Sequence, residues 1–352
     1  MNKKLIKMPS IDQFRNVVSN INRAFNFIGL DDNGDGIYDV TLKKPVITFK
    51  GRTKCHGTNG GVSFNAKNGI WAQSKNDIIT PQKDNAGFAF FVESKERFFD
   101  DLFRQIIIKN SLELNDNTIT IYGEWCGANI QKTVALVNLP KSFFIFGVKI
   151  TPHTENDEEL KDKPAYWVDH FYLNHKDENI FNIDDFGVKS IEIDFNMPQL
   201  VQNELSEITL GVEKECPVAL AFGHSGIGEG VVWSAEYKGV VHRFKVKGDL
   251  HAGKSKVITL KKVDDAKINK IIELAEKVTP TWRLSQMLTE ACDLMNGTTL
   301  DRGKMGDFIR LVINDIIKED MDLLVEAGLE PKDIGKYVSD ISRRYFFDQE
   351  LI

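Results

Sequence analysis

Lys54 opens a short run, Lys54-Cys55-His56-Gly57-Thr58-Asn59, whose residue types suit covalent catalysis. A lysine amine attacks only as the neutral base, and its reference pKa is about 10.4. A nucleophilic lysine therefore needs neighbours that favour the neutral form, or a metal that draws electrons from its target. Gly57, three residues on, permits a tight backbone turn that lets a ligand come close. Alone, a lysine three residues before a glycine signifies little, because a chain with 45 Lys and Arg and 26 Gly produces such pairs by chance. Downstream residues supply the rest of what phosphorus chemistry requires. Glu124, in Tyr122-Gly123-Glu124-Trp125-Cys126-Gly127, and Glu229, in Gly228-Glu229-Gly230-Val231-Val232, are carboxylates able to bind hydroxyls or a divalent cation. Phe146 ends the run Phe143-Phe144-Ile145-Phe146 and offers a flat apolar platform. In His242-Arg243-Phe244-Lys245-Val246-Lys247 the period of two in a strand sends Lys245 and Lys247 to one face, where both can meet the same anion. Nucleophile, cations, carboxylate and aromatic platform are together the equipment for attack on a nucleotide α-phosphate. Taken singly, each has a plainer reading: surface carboxylates, a core aromatic, a solvated strand face.

The elements that must position these residues are legible as texture. Between residues 45 and 248, short β-branched and aromatic runs alternate with Gly, Asn and Asp, as in Val46-Ile47-Thr48-Phe49, Thr118-Ile119-Thr120-Ile121-Tyr122 and Phe143 to Phe146. They predict strands of a mainly antiparallel α+β domain. After His251, Ile268, Ile271, Ile272 and Ala275 recur at helical spacing, and Met305, Phe308, Ile309, Val312, Ile313, Ile316 and Ile317 continue it. The expected organisation is a domain over 1–250, a lysine-rich linker over 251–262 and a helical domain over 263–352. Asp31-Asp32-Asn33-Gly34-Asp35-Gly36 matches the first half of a calcium loop, but the twelfth position is Leu42 rather than a bidentate Glu. The segment reads as an Asx/Gly turn.

Composition narrows the class. The 352 residues, 42% hydrophobic and 27% charged, suit two globular cores. No stretch approaches the roughly 20 apolar residues of a membrane helix, and the N-terminus lacks the apolar core of a signal peptide, so a cytoplasmic protein without a membrane partner is expected. Cys55, Cys126, Cys216 and Cys292 show no zinc-site pairing and read as reduced thiols. A formal charge of −6 argues against a uniform field for nucleic acid but leaves room for a local basic groove. Nothing in the chain signals an obligate protein partner.

In their order, the motifs resemble the covalent nucleotidyltransferase superfamily, and within it the RNA ligase 2 family of nick-sealing phage ligases, whose nucleotidyl motif reads K-x-H-G-T-N. The resemblance implies an antiparallel-sheet, ATP-grasp-like nucleotidyltransferase domain followed by a small all-helical domain. It implies an ATP-dependent RNA ligase, possessing Mg²⁺ as cofactor, that joins 3′-hydroxyl and 5′-phosphate ends at nicks through a lysyl-AMP intermediate and an adenylylated RNA end. Lys54 would be the nucleophile, with His56, Lys245 and Lys247 as catalytic partners. Thr53, Asn59, Lys75, Glu124, Phe146 and Glu229 would bind the nucleotide: Glu124 the ribose, Phe146 the adenine, and Glu229 also the metal. Partners would be nicked or broken RNA, RNA/DNA hybrids included, and a repair role in a phage-infected bacterial host follows. Repair of single-stranded or tRNA ends, and an inactive relative kept for RNA binding, are the alternatives. Val278-Thr279-Pro280-Thr281-Trp282-Arg283-Leu284 and Lys304-Met305-Gly306-Asp307-Phe308-Ile309 are similar to the family's helical domain, with Arg283, Lys304, Arg343 and Arg344 as candidate RNA contacts. Two departures stand out. Lys75 occupies the place of an arginine, and Gly147 that of an aspartate following the stacking phenylalanine. Residues 1–44 and 151–215 carry no detailed resemblance.

Overall fold

The computed structural model describes residues 3–30, 34–39, 42–113, 117–152, 164–251, 264–293 and 300–350. The calcium-like residues Asp31, Asp32 and Asn33, and the expected linker beyond His251, lie outside these. The chain begins with α1 (Phe14–Asn26) and a hairpin of β1 (Phe27–Leu30) and β2 (Gly36–Tyr38). Eleven further strands follow among the described residues: β3 (Val46–Thr53), β4 (Thr58–Asn65), β5 (Gly69–Ser74), β6 (Ile78–Ile79), β7 (Asn117–Cys126), β8 (Ser142–Pro152), β9 (Tyr166–Val168), β10 (Ile180–Asn182), β11 (Val188–Asp194), β12 (Gly230–Tyr237) and β13 (Val240–Lys247). They form a seven-stranded sheet in the order β10-β8-β7-β4-β5-β6, with β9 also on β8, and a four-stranded sheet in the order β11-β3-β12-β13. Every pairing with a defined register is antiparallel except β10 on β8.

Sequence alternation accounts for the four-stranded sheet. In β3, Ile47, Phe49, Gly51 and Thr53 are buried, while Val46, Thr48 and Lys50 face outward. The seven-stranded sheet turns its other face to α2 (Phe88–Ser94) and α3 (Glu96–Asn110). There Val62, Ile121, Phe143, Ile145, Val148 and Ile150 pack with Phe88, Phe99, Leu102 and Ile106 in one apolar core.

The chain divides into two compact units. The first comprises Met1–Ser19, Val46–Ile193 and Val201–Lys261, and contains both large sheets together with α4 (Gln202–Lys214) and α5 (Pro217–Ala221). The second comprises Asn20–Pro45, Asp194–Leu200 and Lys262–Ile352. Its helices are α6 (Asp265–Val278), α7 (Thr281–Cys292), α8 (Met305–Glu319), α9 (Met321–Glu326) and α10 (Pro331–Glu350). Asp264 caps α6 by accepting the Lys267 N–H at 2.9 Å. Phe308, Val312 and Ile316, four residues apart on α8, meet Ile271, Ala275, Leu284 and Phe346 in the helical core.

One expectation fails here. Arg283 is not available to RNA: it is 4% exposed, its Nε donates to Asp315 at 2.8 Å, and Nη1 lies 2.6 Å from Asp320. A buried guanidinium needs such paired carboxylates, and here it ties α7 to α8 and its C-terminal end. Lys304, Arg343 and Arg344 are on the surface, where Lys304, just before α8, faces Asp307 in its first turn and Arg343 faces Asp340 on α10. No helix among the described residues is long and apolar enough to cross a membrane. The four cysteines are buried, and none is in a disulfide among the described residues.

Candidate active site

Lys54 stands immediately beyond β3, and its N–H donates to the Gly230 carbonyl at 2.8 Å, which prolongs the pairing of β3 with β12. Its Nζ is 2.5 Å from Glu229 Oε2. Glu229, only 1% exposed, also takes Lys247 Nζ on Oε1 at 2.7 Å and His56 Nδ1 on Oε2 at 3.1 Å. One buried carboxylate thus gathers three of the predicted residues. Burial alone would raise its pKa, but the His56 hydrogen bond and the Lys54 and Lys247 charges prevail and hold it far below the usual carboxylate range. It therefore remains ionised as an electrostatic anchor for Lys54.

Register explains how the cations come together. Across β12 and β13, Gly230, Val232 and Ser234 oppose Lys247, Lys245 and Arg243; across β12 and β3, Val232 and Ser234 oppose Arg52 and Lys50. Directly opposed residues share a face, so this surface presents Lys50, Arg52 and Lys54 on one side and Arg243, Lys245 and Lys247 on the other. Asp184 answers Arg52 with a two-pronged pair, of which the Nη2 to Oδ2 arm is 2.9 Å, and Arg52 Nη1 also donates to Ser234 Oγ at 3.1 Å. Burial, followed by the Lys247 and Lys54 charges, pushes the Lys245 pKa down, as expected where cations are crowded without an anion.

Over this face lies a cavity of about 260 Å³. Arg52 and Thr53 of β3, Lys54 just beyond it, Val232 and Ser234 of β12, and Arg243 and Lys245 of β13 line it, together with Asn59 of β4, Lys75, Glu124 of β7, and Phe144 and Phe146 of β8. Phe146 owes its position to a β-bulge: Tyr122 opposes Gly147 and Gly123 opposes Ile145, which leaves Phe146 as the extra residue. Phe146, half-buried, thus lines the cavity and packs against the apolar cluster of Phe144 rather than joining the core beneath α2 and α3. Gly147 is where the expected aspartate is missing, and its space is taken by Trp167, whose ring lies 3.1 Å from where a Cβ would stand.

Gly57 is required for a different reason than a turn. Its φ is not left-handed, but a Cβ there would meet the Trp125 carbonyl oxygen, and Cys126 Cβ at 2.6 Å. Gly57 N–H also donates to Glu124 Oε1 at 3.0 Å, so close backbone approach couples the lysine loop to the carboxylate. Gly57→Ala is expected to destabilise by about 1–3 kcal/mol through overpacking against immobile backbone. A urea midpoint unchanged from the parent would refute this.

Glu124 is half-buried, and burial raises its pKa more than Lys54 and the Gly57 N–H lower it, to about 7. A carboxyl whose folded pKa is raised stabilises the fold below its unfolded value, and that contribution is lost as pH rises from about 4.5 to 7. Relative to the parent, Glu124→Gln should therefore gain about 1–3 kcal/mol in unfolding free energy between pH 4.5 and 8. Denaturant titrations at both pH values provide the check, and parallel pH profiles would contradict the shift.

Two neighbours of the cavity escaped the sequence reading. Met8 to Ile11 line it, carried by a strap whose ends bond to different sheets. At one end Ile6 N–H donates to Gln73 Oε1 at 3.1 Å and its carbonyl accepts Tyr122 O–H at 2.7 Å; at the other, Asp12 N–H donates to the Arg243 carbonyl at 3.1 Å. The second is the Asp184 partner of Arg52, beside Ile183 in the cavity wall. Both are brought in by contacts between residues far apart in the chain, for which a single sequence offers no local signal.

The chain belongs to the RNA ligase family, whose model matches residues 48–247, the span from β3 to the end of β13. Among solved structures it is similar to a Naegleria gruberi RNA ligase with pyrophosphate, at 13% identity and a TM-score of 0.39. Variants of that protein with AMP and manganese (13%, TM-score 0.40) and with ATP and manganese (12%, 0.39) match similarly. In all three the alignment covers 71% of this chain and 58% of the Naegleria chain, so less than two thirds of the relative's length is spanned. No curated protein sequence matches.

Proposed function

We propose that this protein is an ATP-dependent RNA ligase of the RNA ligase 2 type, which seals nicks in duplex RNA through a lysyl-AMP intermediate. The observation that supports it best is Lys54 held by Glu229, which also pairs with Lys247, at the edge of a cavity bearing Phe146 and Glu124. Lys54 Nζ attacks the α-phosphorus of ATP, a P–N bond forms and pyrophosphate leaves. AMP then passes to the 5′-phosphate of an RNA strand, and the adjoining 3′-hydroxyl displaces AMP as the new phosphodiester forms. Lys245 and Lys247 neutralise phosphate oxygens, Phe146 carries the adenine, Glu124 takes the ribose, and His56 and Asn59 position the phosphate and the strand ends.

Among the described residues no group of three His, Cys, Asp or Glu side chains could hold a metal. That suits Mg²⁺ arriving with the nucleotide, since this ion commonly takes one or two carboxylates and completes its shell with phosphates and water. Glu229 is the carboxylate placed to contribute, and the ion would supply charge neutralisation. The test is sealing of a panel of nicked duplexes that differ only in which segments are RNA, compared with free single strands under equal ATP. Preferential sealing of nicked duplexes that contain RNA supports the proposal; equal or better joining of free single strands would overturn its nick-sealing part.

A further inference from the structure

We propose that Arg243 reads the edge of the nucleotide base by donating to one of its ring nitrogens. This rests on the nucleotide assignment above, in which Lys54 faces the α-phosphate and Phe146 the adenine. Three observations lead to it. First, Arg243 shares its sheet face with Lys245 and Lys247 but lies four residues from Lys247, about 13 Å along the strand. In a cavity with room for one nucleoside, a phosphate near Lys54 and Lys247 leaves the base at the Arg243 end.

Second, the guanidinium is fixed in place. Its Cζ sits 3.8 Å from the centroid of the Trp167 ring, which itself occupies the space above Gly147. Arginine stacks well on indole, and a stacked guanidinium keeps the donors in its own plane available. Third, those donors are unclaimed. Among the described residues Arg243 forms no ion pair, whereas its neighbour Arg52 is engaged by Asp184 and Ser234. A half-buried cation with free donors calls for acceptors from the ligand, and the groups a purine offers at its edge are ring nitrogens or a carbonyl oxygen. The missing carboxylate at Gly147 thereby acquires a consequence: small size at that position admits Trp167, and Trp167 holds the arginine.

The experiment measures formation of the covalent lysine-nucleotide adduct with ATP and with its 1-deaza, 3-deaza and 7-deaza analogues, each lacking one ring acceptor. For the unmodified protein, kcat/KM is expected to fall about tenfold or more for one of the three, the size of one hydrogen bond to a charged group. In Arg243→Met, which keeps an apolar stem against Trp167, ATP and that analogue should react at similar, reduced rates. Equal use of ATP and all three analogues by the unmodified protein overturns the proposal, whatever the variant does. So does an Arg243→Met protein that discriminates as the parent does. Absence of any adduct with ATP would instead refute the nucleotide assignment on which the proposal depends.

Discussion

Glu229→Ala is expected to slow adduct formation from ATP by about 10²–10³-fold, the loss typical of removing a preorganised charged group from a reacting centre. The carboxylate is 1% exposed and binds Lys54, Lys247 and His56, so its removal leaves three donors facing one another. Those donors retain 18–27% exposure and can turn toward water, so the stability cost should be about 1–3 kcal/mol rather than that of a fully buried pair. Glu229→Gln separates the causes, since it preserves shape and one acceptor but not the charge. Because the folded pKa of Glu229 is depressed, its stabilising contribution is present above the ordinary carboxylate range and is lost as pH falls through and below it. Single-turnover kinetics with labelled ATP measure the first effect, and an alanine variant reacting at the parental rate would contradict the role given to this residue.

Lys54→Ala should eliminate the adduct altogether, a loss of about 10⁴-fold or more, as when the nucleophile of a covalent enzyme is removed. The same variant should still seal RNA that already bears AMP on its 5′-phosphate, because the step that consumes Lys54 has then been bypassed. Lys54→Arg offers a control: it can retain the ion pair with Glu229, so loss of the adduct in that variant is not attributable to misfolding. Failure of Lys54→Ala on pre-adenylylated RNA, with Lys54→Arg proficient, would show that the residue's charge matters beyond the first step.

Much of this was legible in the chain itself. The alternation around Val46 to Thr53 and the helical spacing from Met305 to Ile317 correspond to β3 and α8 because each element buries one face, and burial imposes its period on the sequence. Lys245 and Lys247 were predictably on one face for the same reason. The bulge at Phe146 was not legible, since it arises from a register shift between β7 and β8 that no local pattern records. Gly57 was singled out correctly but for an incomplete reason: what it permits is the approach of the Trp125 backbone, a partner 68 positions away. Arg283 misled because a basic residue in a helical domain reads as surface, whereas Asp315 and Asp320 make its burial tolerable. The strap through Met8 to Ile11 and the Arg52 pairing with Asp184 depend wholly on tertiary contacts.

The most direct test of the account is to incubate the protein with ATP and Mg²⁺, digest it and locate the nucleotide by peptide mass spectrometry. AMP joined to Lys54 through a phosphoramidate bond, labile in acid and stable in alkali, is the predicted result. AMP on another residue, or a fully folded protein that acquires none, would contradict it.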